Sequence, residues 1–363
     1  MTGIEMEALT MNVRGSEASA PPWVTVVIPA RNAGNTLDAC LQAVWESSFH
    51  DIEVIVVDDG SEDDITAICR RYRCTVLRQS ANRMGVGAAR QYGLDASRSP
   101  YVFFTDADVC LAYDAIAQGV QFLETAPRLA AAVGSYSTDC GQDNLLSRYK
   151  QFLLHQLHQD ASGKTCILTG CCSIVRRNMV VEAGGFATSG RFALILEDAE
   201  LGLRMTGMGH QIALLPSMQA SHLKRYTFWR LVKSDLLGRA APWTVLMWTH
   251  RKMTYGLTNR WQDPVAAACV CLFPLAACIA VLRPLATVLL ALWLTSIWHC
   301  VAFLCRRLGW RRLPLVLALR WIDYLVSIVG LMIGTVMFLF DRITAKKKKP
   351  CTSVSSGQVT TRT

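Results

Sequence analysis

The chain has 363 residues, of which 52% are hydrophobic and 18% charged, and it carries a formal charge of +9. That length accommodates one sizeable α/β domain and something further. So apolar a balance excludes a purely soluble protein of this size, and the excess lies at the C-terminal end.

Residues 1–22 are polar, with Glu5, Glu7, Asn12, Arg14 and Glu17 scattered through them. They are expected to be disordered. They lack the apolar core of a signal peptide, so the domain that follows is expected to stay in the cytosol. Trp23–Ile28 is a short β-branched run that ends at Pro29. Thr36–Trp45 places Leu37, Leu41 and Val44 at helical spacing, and Ile52–Val57 is a second apolar run ending in Asp58-Asp59-Gly60. Strand, helix, strand reads as a parallel βαβ unit, and near-continuous apolar strands imply a sheet covered on both faces. A helix over Asp64–Arg71, a strand over Cys74–Arg78, a helix over Gly87–Ala96 and a strand over Tyr101–Thr105 continue the alternation. The fold class is therefore α/β with a doubly wound sheet, whose ligands collect beyond the carboxyl ends of the strands. The polar residues sit there: Arg31-Asn32, Asp58-Asp59 and Asp106–Asp108.

Asp106-Ala107-Asp108 follows the apolar run YVFF. Two carboxylates at a strand end need solvent, a cation or a basic partner, because burying them unpaired costs several kcal/mol. A divalent cation carrying a diphosphate suits them, since hard cations take oxygen ligands and leave positions for phosphate. Asp58-Asp59-Gly60-Ser61 suits plain turn chemistry or an acceptor for the imide hydrogen of a uracil-like base. Asn82–Arg90 sets glycines before a helix start that can receive phosphate oxygens. Glu197-Asp198 precedes a helix over Ala199–Met205. Its acids suit either capping of that first turn or general-base work on a hydroxyl.

Taken in order, VVIPARN (26–32), VVDDGS (56–61), NRMGVGAARQYG (82–93), TDAD (105–108), TGCCSIVRR (169–177) and EDAELGLR (197–204) resemble the family 2 glycosyltransferases of the GT-A fold. The resemblance covers roughly Trp23 to Pro216. It implies that Pro29, Ala30, Arg31 and Asp59 line a nucleoside pocket with Asp58 adjacent, and that Arg90 lies near the nucleotide. Asp106 and Asp108 would hold Mg or Mn with the diphosphate. Asp198 would be the base, with Glu197 beside it, and Gly170 with Cys171 would shape the site toward the acceptor. His222 matches a third metal ligand of some relatives, and a structural histidine is the equal alternative. Asp235-x-x-x-Arg239 and Trp243 are faintly like the Q-x-x-R-W signature of processive synthases, with altered spacing and no glutamine. Arg239 is expected at the diphosphate or as an interfacial anchor. His155 and His158 lack an acidic companion and read as structural.

Past the catalytic domain (23–220), a basic interfacial stretch (221–263) carries Lys224, Arg225, Arg230, Lys233, Arg239, Arg251, Lys252 and Arg260. Three apolar runs follow within 264–340: Pro264–Leu282, Pro284–Cys305 and Pro314–Phe340. About 20 apolar residues cross a bilayer core, so about three transmembrane helices are expected. Arg306, Arg307, Arg311 and Arg312 follow the second run. Both basic clusters would be cytosolic if the first two runs form a hairpin tipped at Arg283. Such a collar suits anionic lipid rather than nucleic acid. A third crossing would put Lys346–Lys349, in the basic and disordered tail 341–363, on the far side against the usual bias. That leaves the topology of the last run open. Arg320 and Asp323 at its start are expected to pair or to snorkel at the membrane edge. The fourteen cysteines have no framework spacing and read as reduced small hydrophobes.

The reading these features favour is a membrane-bound inverting glycosyltransferase. It would move sugar from a nucleoside-diphosphate donor, expected to be a UDP-sugar, to a lipid or lipid-linked acceptor. A polysaccharide synthase is the alternative enzyme, and an inactive nucleotide-binding membrane scaffold is the alternative of another class.

Overall fold

The computed structural model describes residues 21–78, 84–161, 163–252 and 262–347, with side chains described as far as residue 344. Asn82, Arg83, Arg260, nearly all of the polar N-terminal stretch and most of the lysine-rich tail lie outside the described residues.

The N-terminal half alternates as expected: β1 (Val24–Ala30), α1 (Leu37–Trp45), β2 (Ile52–Asp58), α2 (Ile65–Cys69), β3 (Cys74–Arg78), α3 (Val86–Ala96) and β4 (Tyr101–Phe104). β5 (Val109–Leu111), α4 (Ala115–Thr125), β6 (Leu129–Tyr136), α5 (Leu145–Asp160), β7 (Gly163–Thr165), β8 (Ser173–Arg176), α6 (Arg177–Glu182), α7 (Glu197–Gly207) and β9 (Gln211–His222) complete the domain. The strands form one mixed sheet in the order β3-β2-β1-β4-β8-β6-β9-β5, with β7 on β9. β3, β2, β1 and β4 are mutually parallel, with Ala30 opposite Asp58 and Val27 opposite Phe104. β8 runs antiparallel between β4 and β6. The doubly wound reading thus holds for the first half, and the second half inserts antiparallel strands. This is the mixed, mostly parallel sheet of the GT-A fold.

Side-chain alternation along β1 explains the two layers. Val24, Val26 and Ile28 face one core with Leu37, Leu41 and Val44 of α1 and Ile116 of α4. Val27 faces the other, with Ala89 and Leu94 of α3 and Leu201 and Met205 of α7. All of these are buried, and each fully buried aliphatic side chain is worth about 1.5–3 kcal/mol.

Beyond β9 lie α8 (Phe228–Asp235), a π-helical turn (Leu236–Ala240), α9 (Ala241–His250), α10 (Gln262–Cys278), α11 (Arg283–Leu308) and α12 (Leu313–Lys347). Two helical segments, Ala280–Leu308 and Trp310–Thr344, are long and apolar enough to cross a membrane. The first of the three expected runs is shorter, because its helix α10 has 17 residues and Pro274 inside it. A proline there removes one backbone bond and clashes with the preceding turn. The chain breaks between α10 and α11 over residues 279–282, just before Arg283. α5 joins the two halves: Tyr149, Phe152 and Leu153 pack with Trp293, Val301 and Leu319 of the C-terminal helices. No disulfide joins the described cysteines.

Candidate functional site

At the carboxyl end of β4, Thr105 is pinned by its hydroxyl to the Cys171 carbonyl at 3.0 Å. The chain then turns outward with Asp106 and Asp108. β5 leaves this turn and pairs antiparallel with β9, so that Val109 stands opposite His222. The Leu223 N–H donates to the Asp108 carbonyl at 2.7 Å and fixes the register. The result brings one ligand atom each from Asp106, Asp108 and His222 within 4.8 Å of one another. Two carboxylate oxygens and an imidazole nitrogen, all partly accessible, form a donor set that fits Mg or Mn. Burial pushes the Asp108 carboxyl up, and the neighbouring His222 ring works against that shift. A cation at this position would favour the ionised form of both acids.

Arg90, one turn into α3, is almost fully buried between two acids. One nitrogen, Nη1, pairs with Glu197, and Nη2 with Asp106 at 2.5 Å. Room for this guanidinium comes from Gly170, where an added Cβ would run into its nitrogens and Cζ. Gly170 also donates its N–H to Asp198 Oδ2 at 2.5 Å, and the Ala199 N–H donates to Oδ1 at 2.7 Å. Asp198 is therefore aimed by two backbone donors at the start of α7, after Leu196 in the left-handed region (φ 57°). Burial pushes the Asp198 carboxyl above its ordinary range, and the Arg90 charge partly offsets the effect.

Two cavities meet at these residues. One, of about 700 Å³, is lined by Pro29, Arg31, Asn32, Arg90, Asp108 and Glu197 among others. The second, of about 830 Å³, runs past Tyr136, Lys150 and Arg239 to Arg320, Asp323 and Leu331 of α12. Asp106, Leu196, Asp198, Lys224 and Gly238 border both.

The structure thus gathers Pro29, Arg31, Arg90, Asp106, Asp108, Glu197, Asp198, Gly170 and His222 around one junction. Ala30 is buried in β1, and its carbonyl accepts from the Asp59 N–H at 3.0 Å. Asp58 and Asp59 line neither cavity. Asp58 accepts from Ser61 N–H at 2.8 Å and pairs with Arg78, while Asp59 accepts from the N–H groups of Met84 and Gly85. In this arrangement both acids shape the turn and the entry to α3. Glu197 is closed against Arg90. Arg239 lines the second cavity, as His222 does, and not the first. Arg320 and Asp323 pair at 3.0 Å, as one expectation had it, and both line the second cavity, Arg320 buried and Asp323 partly so.

Sequence reasoning missed three supports. Tyr136, at the end of β6, stacks against His222 (14° between planes, centroids 6.3 Å apart). Gln151 accepts from the His222 N–H at 3.3 Å. Lys150 and Asp235 form a buried pair at 2.7 Å. Tyr136 closes an apolar run, LAAAVGSY, whose strand-end position was available as a signal. The other two depend on the packing of α5 and had none.

Comparison with known proteins supplies the class. Residues 25–183 match the model of glycosyl transferase family 2. GlyG of Streptococcus pneumoniae, a glycosyltransferase, is 32% identical over 90 residues, which are 23% of this chain and 30% of GlyG. ExoU of Rhizobium meliloti, a succinoglycan biosynthesis protein, is 38% identical over 97 residues, 25% of this chain and 28% of ExoU. The chain thus spans less than a third of the length of these curated relatives. Among solved structures, the mannosyltransferase PcManGT of Pyrobaculum calidifontis, in complex with GDP-Man and Mn2+, matches with a TM-score of 0.52 at 18% identity. That match covers 93% of this chain and 91% of the neighbour, and it establishes the GT-A fold.

Proposed function

We propose that this protein is a membrane-bound, metal-dependent, inverting glycosyltransferase. It moves sugar from a nucleoside-diphosphate sugar to a lipid or lipid-linked acceptor during assembly of a cell-envelope glycan. The observation that carries this reading is the meeting of the two cavities at Asp106 and Asp198. One is polar and bordered by Asp106 and Asp108, the other is bordered by Asp106 and His222 and leads to the candidate membrane helices, so the acidic cluster straddles the junction.

In this reading the donor occupies the first cavity, with its sugar at the junction. The bound cation would neutralise the negative charge of the departing diphosphate. Asp106, Asp108 and His222 hold it, and Tyr136 and Gln151 keep the histidine in place. Asp198 accepts the proton of an acceptor hydroxyl arriving from the second cavity. That oxygen bonds to the anomeric carbon as the carbon–oxygen bond to the diphosphate breaks, and the bonding pair leaves with the nucleoside diphosphate. The two N–H groups on Asp198 fix its direction, which matters because a base works only within hydrogen-bond reach of its proton. Glu197 holds Arg90, and Arg90 steadies Asp106. The basic residues around α8 and after α11 suit a cytosolic face against anionic lipid.

The test is sugar transfer by membranes containing the full chain, offered uridine and guanosine diphosphate sugars in turn. Asp198→Asn should abolish transfer and leave donor binding intact, whereas Asp106→Asn should lose both. Transfer that survives Asp198→Asn would remove the proposed base.

A further inference from the structure

Arg239 lies on the π-helical turn between α8 and α9 and projects onto the second cavity, where it keeps accessible surface. Among the described residues no carboxylate lies within ion-pair distance of it. Its neighbour Asp235 offers both oxygens to Lys150, at 2.7 Å each. Lys224 and Tyr226 line the same cavity, and three further titratable groups beside Arg239 are neutral. His158 is pushed down to about 3 by burial and by the Arg239 charge, and burial pushes the Tyr136 hydroxyl and the Cys171 thiol up. Deeper in, Arg320 is paired with Asp323, and Asp263 accepts from the Tyr324 hydroxyl. Arg239 therefore presents to the second cavity a cation that has no ion-pair partner and feels Asp235 only at longer range, and the planar guanidinium suits two oxygens of one phosphate.

The turn that carries Arg239 is mounted on α12. A Cβ on Gly330 would meet the Ala240 backbone at about 3.0 Å, and one on Gly334 would meet Thr244 Cβ at 2.5 Å. Only glycine lets these backbones approach so closely, so Arg239 is held at a fixed height on a candidate membrane-spanning helix. Below it the wall turns apolar, with Leu153, Leu154 and Leu157 of α5, Met247 of α9, and Ile328 and Leu331 of α12. A ligand that satisfies both halves has an anionic head and an alkyl tail.

We propose that Arg239 binds the phosphate in the headgroup of a lipid acceptor that enters between α5 and α12, leaving a separate hydroxyl of that headgroup for Asp198, and that it takes no part in holding the donor. This rests on the glycosyltransferase reading above and names the acceptor class for it.

The experiment uses the full chain purified in a neutral detergent. Dodecyl phosphate is the probe, with dodecanol and inorganic phosphate as comparators, and binding is read by native mass spectrometry. Binding of UDP and GDP with Mn2+ is measured in parallel by calorimetry. The wild type should bind dodecyl phosphate well above either comparator. Arg239→Gln should weaken that binding about tenfold or more, the loss of one charge-assisted contact, and Arg239→Lys should weaken it less. Neither variant should change nucleoside diphosphate affinity, which also certifies that each is folded. Equal affinity for dodecyl phosphate in wild type and Arg239→Gln would overturn the proposal. So would lost nucleoside diphosphate affinity in both variants, which returns Arg239 to the donor. Inorganic phosphate binding as tightly as dodecyl phosphate would overturn it too, leaving a free-anion site. A wild type that binds no nucleoside diphosphate with Mn2+ would instead defeat the glycosyltransferase reading, and the parallel arm shows this separately.

Discussion

Replacing Arg90 by Met removes the cation from between Glu197 and Asp106, and the two acids should respond differently. Asp106 is 31% exposed on its side chain, so water replaces most of what it loses. Glu197 is 4% exposed, and Arg90 is its hydrogen-bond partner among the described residues. Breaking a buried pair by removing one member costs about 3–5 kcal/mol, because the remaining charge is stranded. With only one of the two acids stranded, the expected loss is about 3 kcal/mol. Equilibrium urea unfolding of the full chain in neutral detergent, followed by tryptophan fluorescence, would read it. The decisive comparison adds Glu197→Leu. The double variant should return to within about 1 kcal/mol of the wild type, since an apolar replacement of a buried pair is often neutral or better. An Arg90→Met loss under about 1 kcal/mol would refute the reasoning, and so would a double variant no more stable than Arg90→Met alone.

Further outcomes follow from the same geometry. Gly170→Ala places a methyl group in the space of the Arg90 guanidinium. It should cut sugar transfer at least tenfold while the chain still folds, and wild-type turnover would show that Arg90 can move aside freely. His222→Ala removes one of three candidate ligands and should weaken Mn2+ binding about tenfold or more, measured by calorimetry. Unchanged affinity would place the cation elsewhere. For pH, burial raises the folded-state value of Asp198. A base is useful only when ionised, so transfer should fall as pH drops through that raised value, above the ordinary aspartate value of about 4. An acid limb at or below about pH 4 would contradict the assignment.

The α/β class, the strand-end position of the acids and the pairing of metal and base motifs were legible in the sequence. Each depends on local pattern: β-branched runs such as Ile52–Val57, and acids placed where strands stop. The antiparallel insertion of β8 was not legible, because a four-residue strand reads alike in either direction. The destiny of Asp59 was hidden for another reason. Whether a turn carboxylate faces a cavity or caps the entry to α3 depends on where Met84 and Gly85 fall in space. Arg239 shows the same limit more sharply. Its neighbours in sequence suggested the diphosphate, but the π turn and the close seat on Gly330 carry it to the wall of the second cavity. In α10, length and Pro274 separated an apolar run from a helix long enough to span.

The central claim is that Asp198 and the acidic cluster transfer sugar onto a membrane acceptor. It is tested most directly by incubating membranes that contain the full chain with radiolabelled nucleotide sugars and extracting the lipids. With one of the donors, label should enter the lipid fraction, and EDTA and Asp198→Asn should each abolish it. No lipid label from any donor, or label that persists through Asp198→Asn, would contradict the claim.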